Sequence, residues 1–163
     1  MEIREEQELE KCRITRLRGG MNKFYLASPL FTVEQQKRIR EVAEILRSKN
    51  YEVYVPMEHT VDNAYGLPNA KWAKAVFDED IRALEECNTV IMIYDGLYSD
   101  SGTAWEAGYA YAKGKKIFVL CEENVPETSL MVMNGSYCSM KIDELGEYDF
   151  GKMEKKLYEG NQT

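Results

Sequence analysis

Three carboxylates and their setting carry the chemistry this chain can offer. Asp100 and Glu106 fall within Ser99 to Lys115 (SDSGTAWEAGYAYAKGK), and Asp80 lies in FDEDI at Phe77 to Ile81. The residues around Glu106 are small: Gly102, Ala104, Ala107, Gly108, Ala110 and Ala112. An acid on so small and apolar a helix needs a reason. A carboxylate pair can divide labour, one group attacking carbon and the other managing protons or holding the edge of a base. That points to chemistry on a sugar. The plainer alternatives are a solvated acid at Asp80 and a helix cap at Asp100. Glu106 is the hardest of the three to read as solvated, because its neighbours suit close packing.

The elements needed to position these groups are legible as strand alternating with helix. Lys23 to Ala27 (KFYLA) reads as a strand closed by Ser28-Pro29, and a helix follows from Thr32 to about Lys49. Val33, Ile39, Val42, Ile45 and Leu46 form its apolar face, with Thr32 and Gln35 spaced as a capping box. Tyr51 to Val55 alternates as a second strand, and Met57 to Asn69 is long enough to be a functional lid. A helix from about Ala70 to Glu86 carries Trp72, Val76, Ile81 and Leu84 on or near its buried side. The apolar run Thr89 to Tyr94 is a buried parallel strand, and its carboxyl end leads into the loop holding Asp95 and Asp100. Lys116 to Cys121 is a fourth strand, and a last helix is expected around Asp149 to Tyr158. This alternation predicts an α/β fold with a doubly wound, mostly parallel sheet flanked by helices.

Composition narrows the function further. A chain of 163 residues fits one domain, here 21–163, able to bury about two-thirds of its unfolded surface. Half of residues 1–20 are charged with no sustained apolar period, so they read as an extension of the domain. The net charge of −7 and the lack of a basic face argue against a nucleic-acid polymer, whose binding draws on Lys and Arg. No apolar run is long enough to span a membrane. Cys12, Cys87, Cys121 and Cys138 are widely spaced and read as reduced thiols in a cytoplasmic protein. His59 is the only histidine, which excludes a histidine-rich metal site and reads as a solvent-facing loop residue. No metal site is expected. Gly108 to Lys115 imitates a phosphate loop, but the order helix-then-strand is reversed, and no G-x-G-x-x-G follows the first strand. Taken alone, Tyr25, Phe31 and Met131 read as core.

Together, YLASPLF at Tyr25 to Phe31, FDEDI, DSGTAWEAGYAYAKGK at Asp100 to Lys115 and SLM at Ser129 to Met131 resemble the nucleoside 2-deoxyribosyltransferase family. The resemblance runs from about Lys23 to Gly135. It implies a flavodoxin-like fold and transfer of 2′-deoxyribose between nucleobases, with no cofactor. Glu106 then matches the nucleophile, and Tyr25 the tyrosine that orients it. Asp80 and Asp100 match the aspartates that hold the base and assist its protonation. Phe31 matches an aromatic packing on the base, and Met131 a methionine lent by a neighbouring subunit. The partners implied are deoxynucleosides and free nucleobases, with a dimer-based homo-oligomer, as large as a hexamer, completing the sites.

One position departs from the family pattern. Ser129 stands where the family usually has an asparagine that binds the sugar 5′-hydroxyl across the interface, and a serine lacks the amide's paired donor and acceptor. Related deoxynucleotide N-glycosidases use serine there to bind phosphate. Against that reading, Ser28-Pro29-Leu30 carries no positive charge. The expected mechanism is attack by ionised Glu106 on the anomeric carbon, followed by displacement by a second base with net retention. Asp100 has to carry or share the proton that leaves with the base. Hydrolysis of deoxynucleosides or their monophosphates, and a non-catalytic nucleotide-binding module, are the alternatives.

Overall fold

Alternation along the first strand decides which side of the sheet can become reactive. In the computed structural model, which describes residues 23–59, 66–122, 125 and 127–163, β1 runs Lys23–Ala27. Successive side chains leave a strand on opposite faces. Phe24 and Leu26 therefore enter one buried cluster, and Tyr25 and Ala27 enter another. The extension at 1–20 and residues 60–65 of the expected lid lie outside the described residues.

Four more strands join β1: β2 (Glu52–Tyr54), β3 (Thr89–Tyr94), β4 (Lys116–Cys121) and β5 (Cys138–Lys141). Their order is β2-β1-β3-β4-β5, and every neighbouring pair is parallel. This is the flavodoxin-like arrangement, in which the chain reverses its direction of winding between β1 and β3 and opens a crevice there. All six residues of β3 are buried, as a central strand covered on both faces must be.

Helix α1 (Val33–Ser48) covers one face through Ile39, Val42, Ala43 and Leu46, joined by Leu145 and Phe150 from the chain beyond β5. Each such side chain contributes roughly 1.5–3 kcal/mol when fully buried. The capping box at its start is present: Thr32 Oγ1 accepts from Gln35 N at 3.1 Å, and Gln35 Oε1 accepts from Thr32 N at 3.0 Å. Helices α2 (Asn69–Glu86), α3 (Ser101–Ala112) and α4 (Leu130–Gly135) cover the opposite face through Ala83, Leu84, Ala107, Ala110 and Met133.

Three expectations need correction. Val33 is exposed, because at about 100° per residue it lies ~120° round the helix from Ile39. Trp72 is likewise exposed, ~120° from the buried Leu84. Residues 149–158 form no helix. Asp149 Oδ1 accepts from Gly151 N at 2.8 Å in a turn, Phe150 enters the core, and Lys156 O accepts from Ser139 N at 2.8 Å. The backbone bonds a helix would have used go to β5 instead, the fifth strand that the short CSMK segment did not announce.

Candidate active site

Tyr25 is fully buried on β1 at the edge of the β1/β3 crevice, and its hydroxyl donates to Glu106 Oε1 at 2.6 Å. Glu106 reaches it from the second turn of α3. Burial pushes the Glu106 carboxyl up from 4.5 to about 7, with Asp80 and Asp100 adding to the rise and the Tyr25 hydrogen bond opposing it. Burial, with the charges of Glu106 and Asp80 beside it, pushes the Tyr25 phenol far above its ordinary value. The phenol therefore remains a donor at any working pH, and the acceptor form of Glu106 is the one it favours.

Asp80 stands on α2 facing the same cluster. Burial, with Glu79 adding and His59 opposing, raises its carboxyl from 3.8 to about 6. Asp100 is the N-cap of α3. Asp100 Oδ2 accepts from Thr103 N at 2.8 Å and from Thr103 Oγ1 at 3.0 Å, which leaves Oδ1 for a ligand. The cap and the functional reading are thus compatible, one oxygen for each. Gly102 is part of the arrangement, since a Cβ there would stand 2.9 Å from Asp100 Oδ2. At Gly96, with φ +95°, the backbone is left-handed and a Cβ would meet Val125 Cγ1 at 2.8 Å. This close approach lets Leu97 N donate to Glu127 O at 3.0 Å and holds the loop that carries Asp100.

Asp95, in the same loop, is committed elsewhere. Arg38 Nη1 lies 2.7 Å from its Oδ1 and 2.8 Å from Glu122, and Gln35 Nε2 donates to its Oδ2 at 3.3 Å. Asp95 therefore ties the loop after β3 to α1 and, through Arg38, to the residue that follows β4.

The remaining expected residues are not gathered with Tyr25 and Glu106. Phe31 is 74 % exposed, its backbone N–H held by Gln35 Oε1 at 2.9 Å. Ser129 N donates to Tyr94 Oη at 2.9 Å. Met131, 75 % exposed, joins Ser129, Leu130, Gly108 and Tyr111 around an apolar groove of about 510 Å³ between α3 and α4. Among the described residues, no group of three or more His, Cys, Asp or Glu side chains is arranged to hold a metal ion. No described helix is long and apolar enough to cross a membrane, and Cys87, Cys121 and Cys138 are buried free thiols.

With this geometry in view, the sequence profile described as nucleoside 2-deoxyribosyltransferase matches residues 24–149. The chain belongs to the nucleoside 2-deoxyribosyltransferase family. It is 24% identical over 148 residues to the nucleoside deoxyribosyltransferase of Lactobacillus leichmannii, covering 83% of this chain and 94% of that protein. The solved 2-deoxyribosyltransferase of Bacillus psychrosaccharolyticus superposes with a TM-score of 0.76 at 28% identity, covering 83% and 98%. A CMP N-glycosidase from Clostridium botulinum superposes with a TM-score of 0.51 at 27% identity, covering 80% and 96%. Family membership therefore implies deoxyribosyl transfer or N-glycosidase chemistry on nucleosides or nucleotides.

For a deoxyribosyltransferase-family site, Tyr54 and Glu79 beside the cluster escaped sequence reasoning, and His59, read there as a solvent-facing loop residue, stands with them. Tyr54 stacks on Tyr25 with centroids 5.5 Å apart, and His59 stacks on Tyr54 at 4.1 Å. Glu79 Oε1 accepts from Tyr54 Oη at 3.5 Å. Tyr54 was legible as a strand residue of YEVYV, but only strand order puts it next to Tyr25, its register partner.

Proposed function

We propose that this protein transfers 2′-deoxyribose between nucleobases through a covalent deoxyribosyl–Glu106 intermediate. The observation that carries this reading is the 2.6 Å Tyr25–Glu106 hydrogen bond, with Asp80 and Asp100 acting on the same carboxyl. A Glu106 carboxylate oxygen attacks the anomeric carbon, and the C–N bond breaks with its electron pair going to the base. The leaving nitrogen takes a proton from Asp80 rather than from Asp100, the residue expected from the sequence, because Asp100 is engaged as a helix cap and burial holds Asp80 near 6, poised to give the proton. Asp100 Oδ1 holds the base edge. A second base then attacks the same carbon, returns its proton to Asp80 and frees Glu106, so configuration is retained. A ribose 2′-hydroxyl would crowd the nucleophile. No cofactor takes part.

The charge around the cluster favours unphosphorylated nucleosides. Glu79 and Glu58 flank it, and the arginines nearby are already engaged: Arg82 with Glu79 and Glu86, Arg47 with Glu58, Arg38 with Asp95 and Glu122. A 5′-phosphate would bring two negative charges to an acidic surface. Ser129 favours the second reading, hydrolysis of deoxynucleoside monophosphates, since its short hydroxyl replaces the amide expected for a 5′-hydroxyl. Ser129 and Met131 reach no described member of the Glu106 cluster and border an exposed apolar groove, which supports their delivery to a neighbouring copy's site in a homo-oligomer. Phe31, exposed at the crevice mouth, packs on the base when it binds.

Incubation with deoxyuridine and excess adenine, and separately with deoxyuridine monophosphate, each beside Glu106→Ala, tests these readings by chromatography. Deoxyadenosine formed only by the intact enzyme supports transfer. Uracil released only from the monophosphate makes the protein a hydrolase. With a deoxyinosine donor also inert, binding without turnover would leave a nucleotide-binding module.

A further inference from the structure

His59 is the outermost of three stacked rings. Its imidazole lies flat on Tyr54, with centroids 4.1 Å apart and planes 9° apart. Tyr54 lies on Tyr25 at 5.5 Å and 14°. Tyr25 and Tyr54 are register partners on the adjacent parallel strands β1 and β2, so their side chains leave the same face of the sheet. The inner ring donates to Glu106, and the middle ring is held at its tip by Glu79. The outer ring belongs to an exposed residue just past the turn Pro56–Glu58. A phenol in a column of this kind has little freedom to swing away from its acceptor.

Building on the deoxyribosyl-transfer reading, we propose that His59 is a positioning residue of this site: it closes the Tyr25–Tyr54–His59 column that keeps the Tyr25 hydroxyl on Glu106. The charged groups around His59 come from three elements. Glu58 is on its own turn and is held by Arg47 of α1, while Glu79 and Asp80 are on α2, with Glu79 held by Arg82. His59 thus acts on the nucleophile through other residues, by stacking on the ring that stacks on Tyr25.

Two substitutions test the column. His59→Phe keeps a flat ring, and His59→Ala removes it. Base-exchange kcat and KM would be measured for each, with a 13C carboxyl NMR titration of Glu106 and thermal unfolding as the folding control. His59→Ala is expected to lower kcat about 2- to 10-fold, the range set by one aromatic pair, with little change in KM. His59→Phe is expected to retain most of the rate. In His59→Ala the Glu106 titration moves upward from about 7 as the Tyr25 bond loosens, and in His59→Phe it stays in place. An unmoved Glu106 titration in His59→Ala overturns the proposal. A wild-type enzyme that exchanges no base would instead refute the transfer reading, and the Glu106 titration would still decide the role of His59.

Discussion

The two faces of the sheet are equally buried and do opposite work. On the α1 face, Phe24 meets Tyr51 and Phe150 edge-on at 4.9 and 5.0 Å, in a cluster of apolar side chains. On the α2/α3 face, one residue further along β1, Tyr25 meets the carboxyl of Glu106. The first face is where hydrophobic burial contributes stability. The second accepts a cost, because a carboxyl taken from water is disfavoured in its charged form. Stability and reactivity are therefore separated by a single step of strand alternation.

The strongest way to break this comparison is at Glu106. Glu106→Gln should reduce deoxyribosyl transfer at least ~10³-fold, as expected for loss of a nucleophile, while leaving the fold intact. Its stability should respond in the opposite sense. A carboxyl raised from 4.5 to about 7 contributes stability below 4.5 and loses it as pH climbs to about 7. Glu106→Gln should therefore melt at or above the wild-type temperature at pH 8, and a lower melting point there would contradict the burial argument.

Phe24→Ala is the mirror experiment. It should cost about 3–5 kcal/mol of unfolding free energy by denaturant titration, yet leave the rate per folded molecule almost unchanged. A proportional loss of rate would mean that the faces are not independent.

Tyr25→Phe touches only the hydroxyl. It should lower kcat roughly 10- to 100-fold, in line with one hydrogen bond to a charged group. Wild-type kcat/KM should be bell-shaped and highest between about 6 and 7, since one proton is shared by Asp80 and Glu106. Removing the Tyr25 bond raises the Glu106 carboxyl, so the profile should move to higher pH; a profile that stays in place would show that Tyr25 does not set that ionisation.

The smallest effect is expected at Gly102→Ala. The new methyl meets the end of the Asp100 side chain, which can turn aside at little cost to stability. Reorienting Asp100 should raise KM for the base several-fold, and steady-state kinetics with adenine as acceptor would read it.

Much of the framework was legible in the residues because its signals are local. The Thr32–Gln35 box, the unbroken apolar run of Thr89 to Tyr94 and the small-residue helix after Asp100 each depend on neighbours within a few positions. The last helix failed for the converse reason. Residues 149–158 have helical length but no helical contacts, and Phe150 and Lys156 are claimed by the core and by β5. The side chains that could do chemistry were likewise visible as types: an acid where small residues surround it, a tyrosine in a strand, a lone histidine.

The sequence by itself determined the α/β alternation, the family and the acids available, because periodicity, caps and motif residues are properties of short stretches. Only the tertiary structure decided the distance at which Tyr25 meets Glu106 and that Tyr54 lies on Tyr25. These contacts join residues far apart in the chain. Strand order and register set their distances, and those are fixed only when both faces of the sheet are packed at once.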